Sequence, residues 1–324
     1  PPVPPALAPL QLWVVQEPFA PPATCAFADP PLPATTWGEK DGPVTNSERC
    51  ITRVRPAVPA PGKAKHDWQI AVAFAHRLEA LAVGPKNLFP YTSPESIWNE
   101  HRESTRGRDL DITGVSYELL DQEPLQWPMP EGSTAGKVRL YEDGIFPTAD
   151  GRARFANTVY KPVAEPQESR YPFSLLTGRL RDQWHGMSRT GTLPRLFGHA
   201  SEPVIQMHPQ DMQRRLLAEG DLVHVTSKRG SIVVPVQAST ELGLSQTFMT
   251  MHWGEQYLSG VSSTGQRLAG VNALTTSAYC PGSTQPELKH AAVKIPKAAL
   301  PWALRSMAWL PPARLLAVCD ARSL

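Results

Sequence analysis

Leu222-Val223-His224-Val225-Thr226-Ser227-Lys228-Arg229-Gly230-Ser231-Ile232-Val233-Val234-Pro235-Val236-Gln237-Ala238 decides the fold of the second half of this chain. Two β-branched runs flank a glycine-containing turn. That pattern predicts a hairpin with strands over 222–227 and 232–238. Working outward, the runs Phe173–Thr177, Val204–Met207 and Thr247–His252 have the same texture. One helix, about Pro209 to Leu217, interrupts them and ends near Gly220, a residue suited to a helix C-terminus. Several short strands with a single helix predict a β-barrel. The change of texture at Tyr171 places a domain boundary near 168–171, after Glu165-Pro166-Gln167-Glu168-Ser169.

Upstream the periodicity is mixed. Leu12-Trp13-Val14-Val15 reads as a short strand, and residues 56–65 as a loop. Trp68, Val72, Ala75 and Leu78 recur at the spacing of one helical face. Ile70, Phe74 and Leu81 would widen it, which predicts a helix over His66–Leu81. A second helix is predicted from Pro94 to about Ser104, because Ser93 suits an N-cap and proline is tolerated in the first turn. Residues 105–135 show no strong period. Residues 139–146 predict a hairpin with Asp143-Gly144 as its tight turn.

Composition narrows the class. The chain has 324 residues, long enough for two domains. With 32 basic and 30 acidic residues the net charge is +2, which leaves no electrostatic footprint for nucleic acid. Thirty-five prolines, about twice the usual share, argue against helical bundles. No apolar run approaches the roughly 18 residues that a membrane span needs. The four cysteines, Cys25, Cys50, Cys280 and Cys319, show no C-x-x-C spacing, so no cluster or zinc motif can be drawn from them.

Chemistry concentrates in Thr177-Gly178-Arg179-Leu180-Arg181-Asp182-Gln183-Trp184-His185-Gly186-Met187-Ser188-Arg189-Thr190-Gly191, at the end of a predicted strand. Small residues there let backbone amides approach an anion, and arginines, a histidine and hydroxyls supply donors for a pyrophosphate or a polar heterocycle. The same string also reads as a solvated basic loop. His252 reads as a surface histidine closing a strand, and Lys289 as a solvated lysine. The cluster Glu39, Asn46, Ser47, Glu48 and Arg49 reads either as a polar site or as a turn network.

Taken together, these segments resemble the C-terminal half of a molybdopterin oxidoreductase of the dimethyl-sulfoxide-reductase superfamily, most nearly the catalytic subunit of bacterial assimilatory nitrate reductase. The resemblance rests on Leu32 to Gly42, Val44 to Arg49, Val54-Arg55-Pro56, Gln126-Trp127-Pro128 and Asp150 to Phe155. It continues through Thr177-Gly178-Arg179, Arg181 to His185, Arg189-Thr190-Gly191, Met251-His252-Trp253, Val271 to Thr275 and Gln285 to Lys289. Formate dehydrogenases share much of this and are the nearest alternative. A non-catalytic cofactor-binding remnant is another.

The resemblance implies an α/β remainder of the central molybdopterin-binding domains over 1–168. A double-psi β-barrel that binds molybdopterin guanine dinucleotide would follow over 169–300, then a tail, 301–324, without parallel. It implies cofactor contacts at Thr177, Gly178, Arg179, His185, Ser188, Arg189, His252, Asn272 and Lys289. Glu39, Asn46 and Ser47 would lie on the active-site side. The implied parent reduces nitrate in the cytoplasm with an electron-donor protein or subunit. Its molybdenum bis-molybdopterin guanine dinucleotide would be ligated from outside this chain, and a [4Fe-4S] cluster is implied only in the N-terminal part. No metal ligand is expected here. The chain is expected to be a fragment that is inactive alone.

Overall fold

In the computed structural model, residues 9–19, 23–81, 83–254 and 270–298 are described. The expected tail, with Cys319, lies outside them. The chain divides into two compact units between Thr158 and Val159. That division falls upstream of the expected 168–171, because residues 164–168 are tied to the later unit. Glu165 pairs with Arg229 at 2.6 Å, and the Ala164 N–H donates to the Glu287 carboxylate at 3.1 Å.

Among its described residues the first unit holds short strands and three α-helices. Strands β1 (Val15–Glu17) and β2 (Pro31–Pro33) pair in parallel. The observed β1 starts where the expected strand Leu12–Val15 ends; its partner Pro31–Pro33 sets the position. Strands β3 (Gly42–Thr45), β4 (Cys50–Val54) and β5 (Leu125–Gln126) form an antiparallel sheet. Helix α1 spans Asp67–Ala80, and its start is fixed by the Gln69 side chain, which accepts the His66 N–H at 3.1 Å. Val72 is buried on the predicted face, but Phe74 and Leu81 are exposed, so the stripe is narrower than expected. Helix α2 (Pro94–Glu103) starts at Ser93, whose hydroxyl accepts the Ser96 N–H at 3.1 Å. Helix α3 (Tyr117–Gln122) follows. Ile51, Trp98, Ile112, Val115, Tyr117, Leu120 and Met129 make this unit's core.

The expected hairpin over 139–146 does not form. Asp143-Gly144 does turn, with Gly144 at φ +72° and its N–H on the Tyr141 carbonyl at 3.0 Å. The flanks do not pair. Phe146 N–H bonds forward to the Gly151 carbonyl, and just before the segment the Arg49 guanidinium takes the carbonyls of Lys137 and Val138.

The second unit is a curled mixed sheet in the order β11-β6-β10-β7-β9-β8. Its strands are β6 (Phe173–Gly178), β7 (Ile205–Met207), β8 (Leu222–Thr226), β9 (Ser231–Ala238), β10 (Gln246–Thr250) and β11 (Ala291–Val293). The predicted hairpin is β8–β9, with Thr226 opposite Ser231. β6 runs parallel to β10, and β7 parallel to β9. Beyond β11 the chain bonds back to β8: Thr226 N–H donates to Lys294 carbonyl at 3.0 Å and Ala298 N–H to Leu222 carbonyl at 2.8 Å. The two sheet edges thus meet.

Alternate residues point inward, as the two-residue period of a strand requires. Leu175, Ile205, Met207, Val223, Val225, Ile232, Met249 and Val293 are fully buried. Burying each aliphatic side chain contributes about 1.5–3 kcal/mol. Helix α4 is Pro209–Arg214, shorter than expected, because Leu216 adopts φ +52° and its neighbour Leu217 bonds back to the Met212 carbonyl at 3.0 Å. Strand β10 ends at Thr250, so His252 lies beyond it in a turn rather than closing the strand.

Candidate functional site

The parallel pairing of β6 and β10 puts Gly178 opposite Thr250. The loop 179–191 and the turn 251–254 therefore leave the sheet at the same end. β11 runs antiparallel to β6 with Ala291 opposite Leu175, so Lys289 arrives at that end too. Thr177 joins the two: its buried hydroxyl donates to the Leu288 carbonyl at 2.7 Å. Thr177, expected as a cofactor contact, thus holds the segment carrying Lys289. Gly178 has a packing reason of its own. A Cβ there would lie 2.6 Å from the Phe248 ring.

The loop is pegged into the core. Met187 is buried, although it and His185 adopt left-handed conformations at φ +60° and φ +44°. Such a conformation costs a non-glycine residue roughly 1–2 kcal/mol, and burying Met187 returns about 1.5–3 kcal/mol toward the pair. Trp184 N–H donates to the Thr190 hydroxyl at 3.1 Å, and Gly191 N–H to the Met187 carbonyl at 2.9 Å. Arg181 is paired with Asp182 at 2.8 Å and holds that carboxyl below its usual range. Arg179 instead lies over the exposed Trp184 ring at 5.4 Å, with no carboxylate partner among the described residues. His185, Ser188 and Lys289 are exposed, and Arg189 is half-buried.

His252 is 1% exposed, contrary to the surface reading. Its Nε2 accepts the Leu180 N–H at 2.8 Å, and its Nδ1 meets the His185 carbonyl at 2.6 Å. A carbonyl can only accept, so Nδ1 carries the proton and the ring is neutral. Burial pushes the ring below the ordinary histidine range, and Arg179 and His185 push the same way, against the His185 carbonyl bond. His252 therefore contacts the loop on both ring nitrogens.

Asn272 sits in the 3-10 turn Val271–Ala273, with an exposed side chain. Gly270 lets this turn pack closely, since a Cβ would lie 2.6 Å from the Trp253 carbonyl oxygen. From the far side Arg229 donates to the Leu274 carbonyl at 3.0 Å and to Glu165 at 2.6 Å. The Arg229 bond also holds the Glu165 carboxyl below its usual range. The structure thus gathers seven expected residues, Thr177, Gly178, Arg179, His185, Ser188, Arg189 and Lys289, on one end of the sheet and its loop, with His252 beneath.

Glu39, Asn46 and Ser47 lie in the first unit. There Glu39 accepts the Thr36 N–H at 2.8 Å, and Asn46 accepts the N–H groups of Glu48 and Cys50 at 2.9 and 3.0 Å. Both side chains are engaged in turns, and Ser47 is an exposed turn tip. That unit also holds an open cavity of about 510 Å³ lined by Ile51, Trp68, Trp98, Ile112 and Trp127, with His101 its one ionisable residue. It offers no counter-charge for a pyrophosphate. Among the described residues no three His, Cys, Asp or Glu side chains converge as metal ligands.

Three further residues were not singled out from the sequence. Gln183 is buried, donates to the Leu196 carbonyl at 3.1 Å, and has an unpartnered Oε1. Arg229 and His290 brace the site through Glu165. Arg229 was visible only as part of a hairpin turn, Gln183 only as a member of the string 177–191, and no local pattern marks His290. Beside the loop, His199, Ser201, Glu202, Gln206 and Gln237 line a cavity of about 380 Å³. Exposed cationic donors beside a polar cavity fit a ligand that joins phosphates to a heterocycle.

Comparison with known proteins agrees. Residues 173–292 match the molydopterin dinucleotide binding domain, and residues 3–77 match molybdopterin oxidoreductase. Nitrate reductase of Klebsiella oxytoca is 37% identical over 299 residues, covering 90% of this chain and 32% of that protein. The assimilatory nitrate reductase catalytic subunit of Bacillus subtilis is 32% identical, covering 84% and 36%. A formate dehydrogenase subunit alpha of Methanocaldococcus jannaschii is 35% identical, covering 90% and 40%. The chain thus spans well under half the length of these relatives. Acetylene hydratase from Pelobacter acetylenicus shares the fold, with a TM-score of 0.62 at 17% identity over 90% of this chain and 41% of that one. The chain belongs to the molybdopterin oxidoreductases and carries their dinucleotide-binding domain.

Proposed function

We propose that this chain, carrying two domains of the molybdopterin oxidoreductases, forms the cofactor-binding part of a nitrate reductase that converts nitrate to nitrite. The observation that carries the reading is the convergence of Arg179, His185, Ser188, Arg189 and Lys289 at one end of the curled sheet. The two parallel pairs of that sheet and its meeting edges support a double-psi barrel.

A molybdenum bis-molybdopterin guanine dinucleotide would supply the two-electron redox chemistry, while the protein binds and orients it. Arg179 and Lys289 would neutralise pyrophosphate charge. His185 and Ser188 would donate to the remaining polar atoms. Asn272 would close the site from the turn at 271–273. The buried Thr177 and His252 hold these donors in place. A [4Fe-4S] cluster and the molybdenum ligand belong, in this reading, to the part of the fold not represented here. An electron-donor protein or subunit is the partner, and the cytoplasm is the setting. The described residues include no helix long and apolar enough to cross a membrane.

The test uses the complete protein with and without Arg179→Ala. Nitrite formation from a reduced viologen, with roughly tenfold lower molybdenum and pterin occupancy in the variant, supports the reading. Unchanged occupancy overturns the site. Formate oxidation without nitrate reduction overturns the substrate in favour of the formate dehydrogenase alternative. Residues 1–324 alone are expected to form no nitrite.

A further inference from the structure

We propose that His252 is a positioning residue that clasps the ligand-binding loop 180–185 as one neutral tautomer, and that protonating this ring releases the loop. The inference rests on the reading of that loop as a cofactor site, and adds how its shape is set and lost.

The geometry is a two-point bridge. One imidazole, fully inside the protein, accepts from Leu180 N–H and donates to the carbonyl of His185. These two backbone groups bracket the segment Leu180 to His185, whose outer faces present Arg181, Trp184 and His185 to solvent. No other side chain bridges both ends of the segment among the hydrogen bonds described. The turn that carries the ring is anchored in the core. Trp253, next to His252, is buried against Phe197 and donates its indole N–H to Thr250 at 2.7 Å.

A second proton would sit on Nε2, where Leu180 already points a donor. Two N–H groups would then face each other, and the acceptor bond would be lost. The charged or titratable groups that act on the ring are Arg179 and His185, at the two ends of the loop, and both disfavour a cation there. No carboxylate among those influences offsets them. Burial first, and then these two groups, push the ring below the ordinary histidine range against the His185 carbonyl bond, and the proton that does add opens the loop.

Nitrogen NMR of the full 324-residue chain, with the histidines labelled, reads the tautomer without any ligand. Expected is a protonated Nδ1 and a bare Nε2 at neutral pH; a protonated Nε2 overturns the proposal. Amide exchange then compares wild type with His252→Leu and His252→Gln, using Val225 and Val234 as controls for the sheet. Corrected for intrinsic rates, Leu180 should exchange roughly tenfold faster in His252→Leu, the effect of one lost buried hydrogen bond. Gln carries one donor and one acceptor, so it should restore protection and remove its loss in acid. Equal Leu180 protection in wild type and His252→Leu, with the controls intact, overturns the proposal. Binding of guanosine diphosphate, measured separately, tests the cofactor reading. A correct tautomer with no nucleotide binding would keep the clasp and refute that reading.

Discussion

Thr177→Val separates two roles that a hydroxyl at this position can have. Valine has the same shape, so no cavity opens. The change removes the 2.7 Å hydrogen bond to the Leu288 carbonyl and places a methyl group in a site that is 8% exposed. The bond is only partly buried, so the cost falls at the lower end for a buried acceptor. We expect a loss of about 1 kcal/mol. For a unit of this size that is a fall in Tm of about 2–6 °C. Thr177→Ser keeps the hydroxyl and should lose clearly less. Because the bond fixes the segment before Lys289, guanosine diphosphate affinity should fall in step with stability, by a few-fold in Thr177→Val. Calorimetry of unfolding and of binding on the same variants checks this. If Thr177→Val abolished binding with an unchanged Tm, the hydroxyl would contact the ligand directly, as the sequence alone suggested, and the bracing role would be refuted.

Other expectations follow from single contacts. Burial by itself would raise the Asp111 carboxyl, but hydrogen bonds from Thr113 and Gly107, with Arg106 nearby, outweigh it and hold the group below its usual range. Its stabilising effect is therefore present above the unfolded carboxylate pKa of about 3.9 and is lost as pH falls through the lower folded value. Acid titration of the first unit's stability should show that loss, and Asp111→Asn should remove it. Leu175→Ala, at a fully buried position in β6, should cost about 3–5 kcal/mol in a denaturant titration, and a cost below 1 kcal/mol would contradict the packed core. Gly270→Ala brings a Cβ to 2.6 Å from the Trp253 backbone oxygen, so it should lower Tm and raise amide exchange around Leu274; a neutral result would mean the turn is not seated there.

Local alternation sufficed for the strands. Leu222–Thr226 and Ser231–Ala238 were legible because a strand's period is written in successive residues and a glycine turn sits between them. Helix α2 was legible from Ser93 and Pro94 for the same reason, since capping is decided within one turn. The cationic string from Arg179 to Arg189 was legible as chemistry, although not as a shape. What failed was partnership across distance. Asp143-Gly144 turned as expected, yet no hairpin formed, because the Phe146 N–H went forward to Gly151 instead of across the turn. His252 read as a surface residue, since nothing in Met251-His252-Trp253 says that Leu180 and His185 will occupy both ring nitrogens. Lys289 became part of the site only through β11 lying beside β6 and through Thr177 reaching Leu288. A sequence states which groups can donate and accept, and along short stretches how the backbone will run. Which donor meets which acceptor is set by strand order and register, and these are consequences of burying one common core.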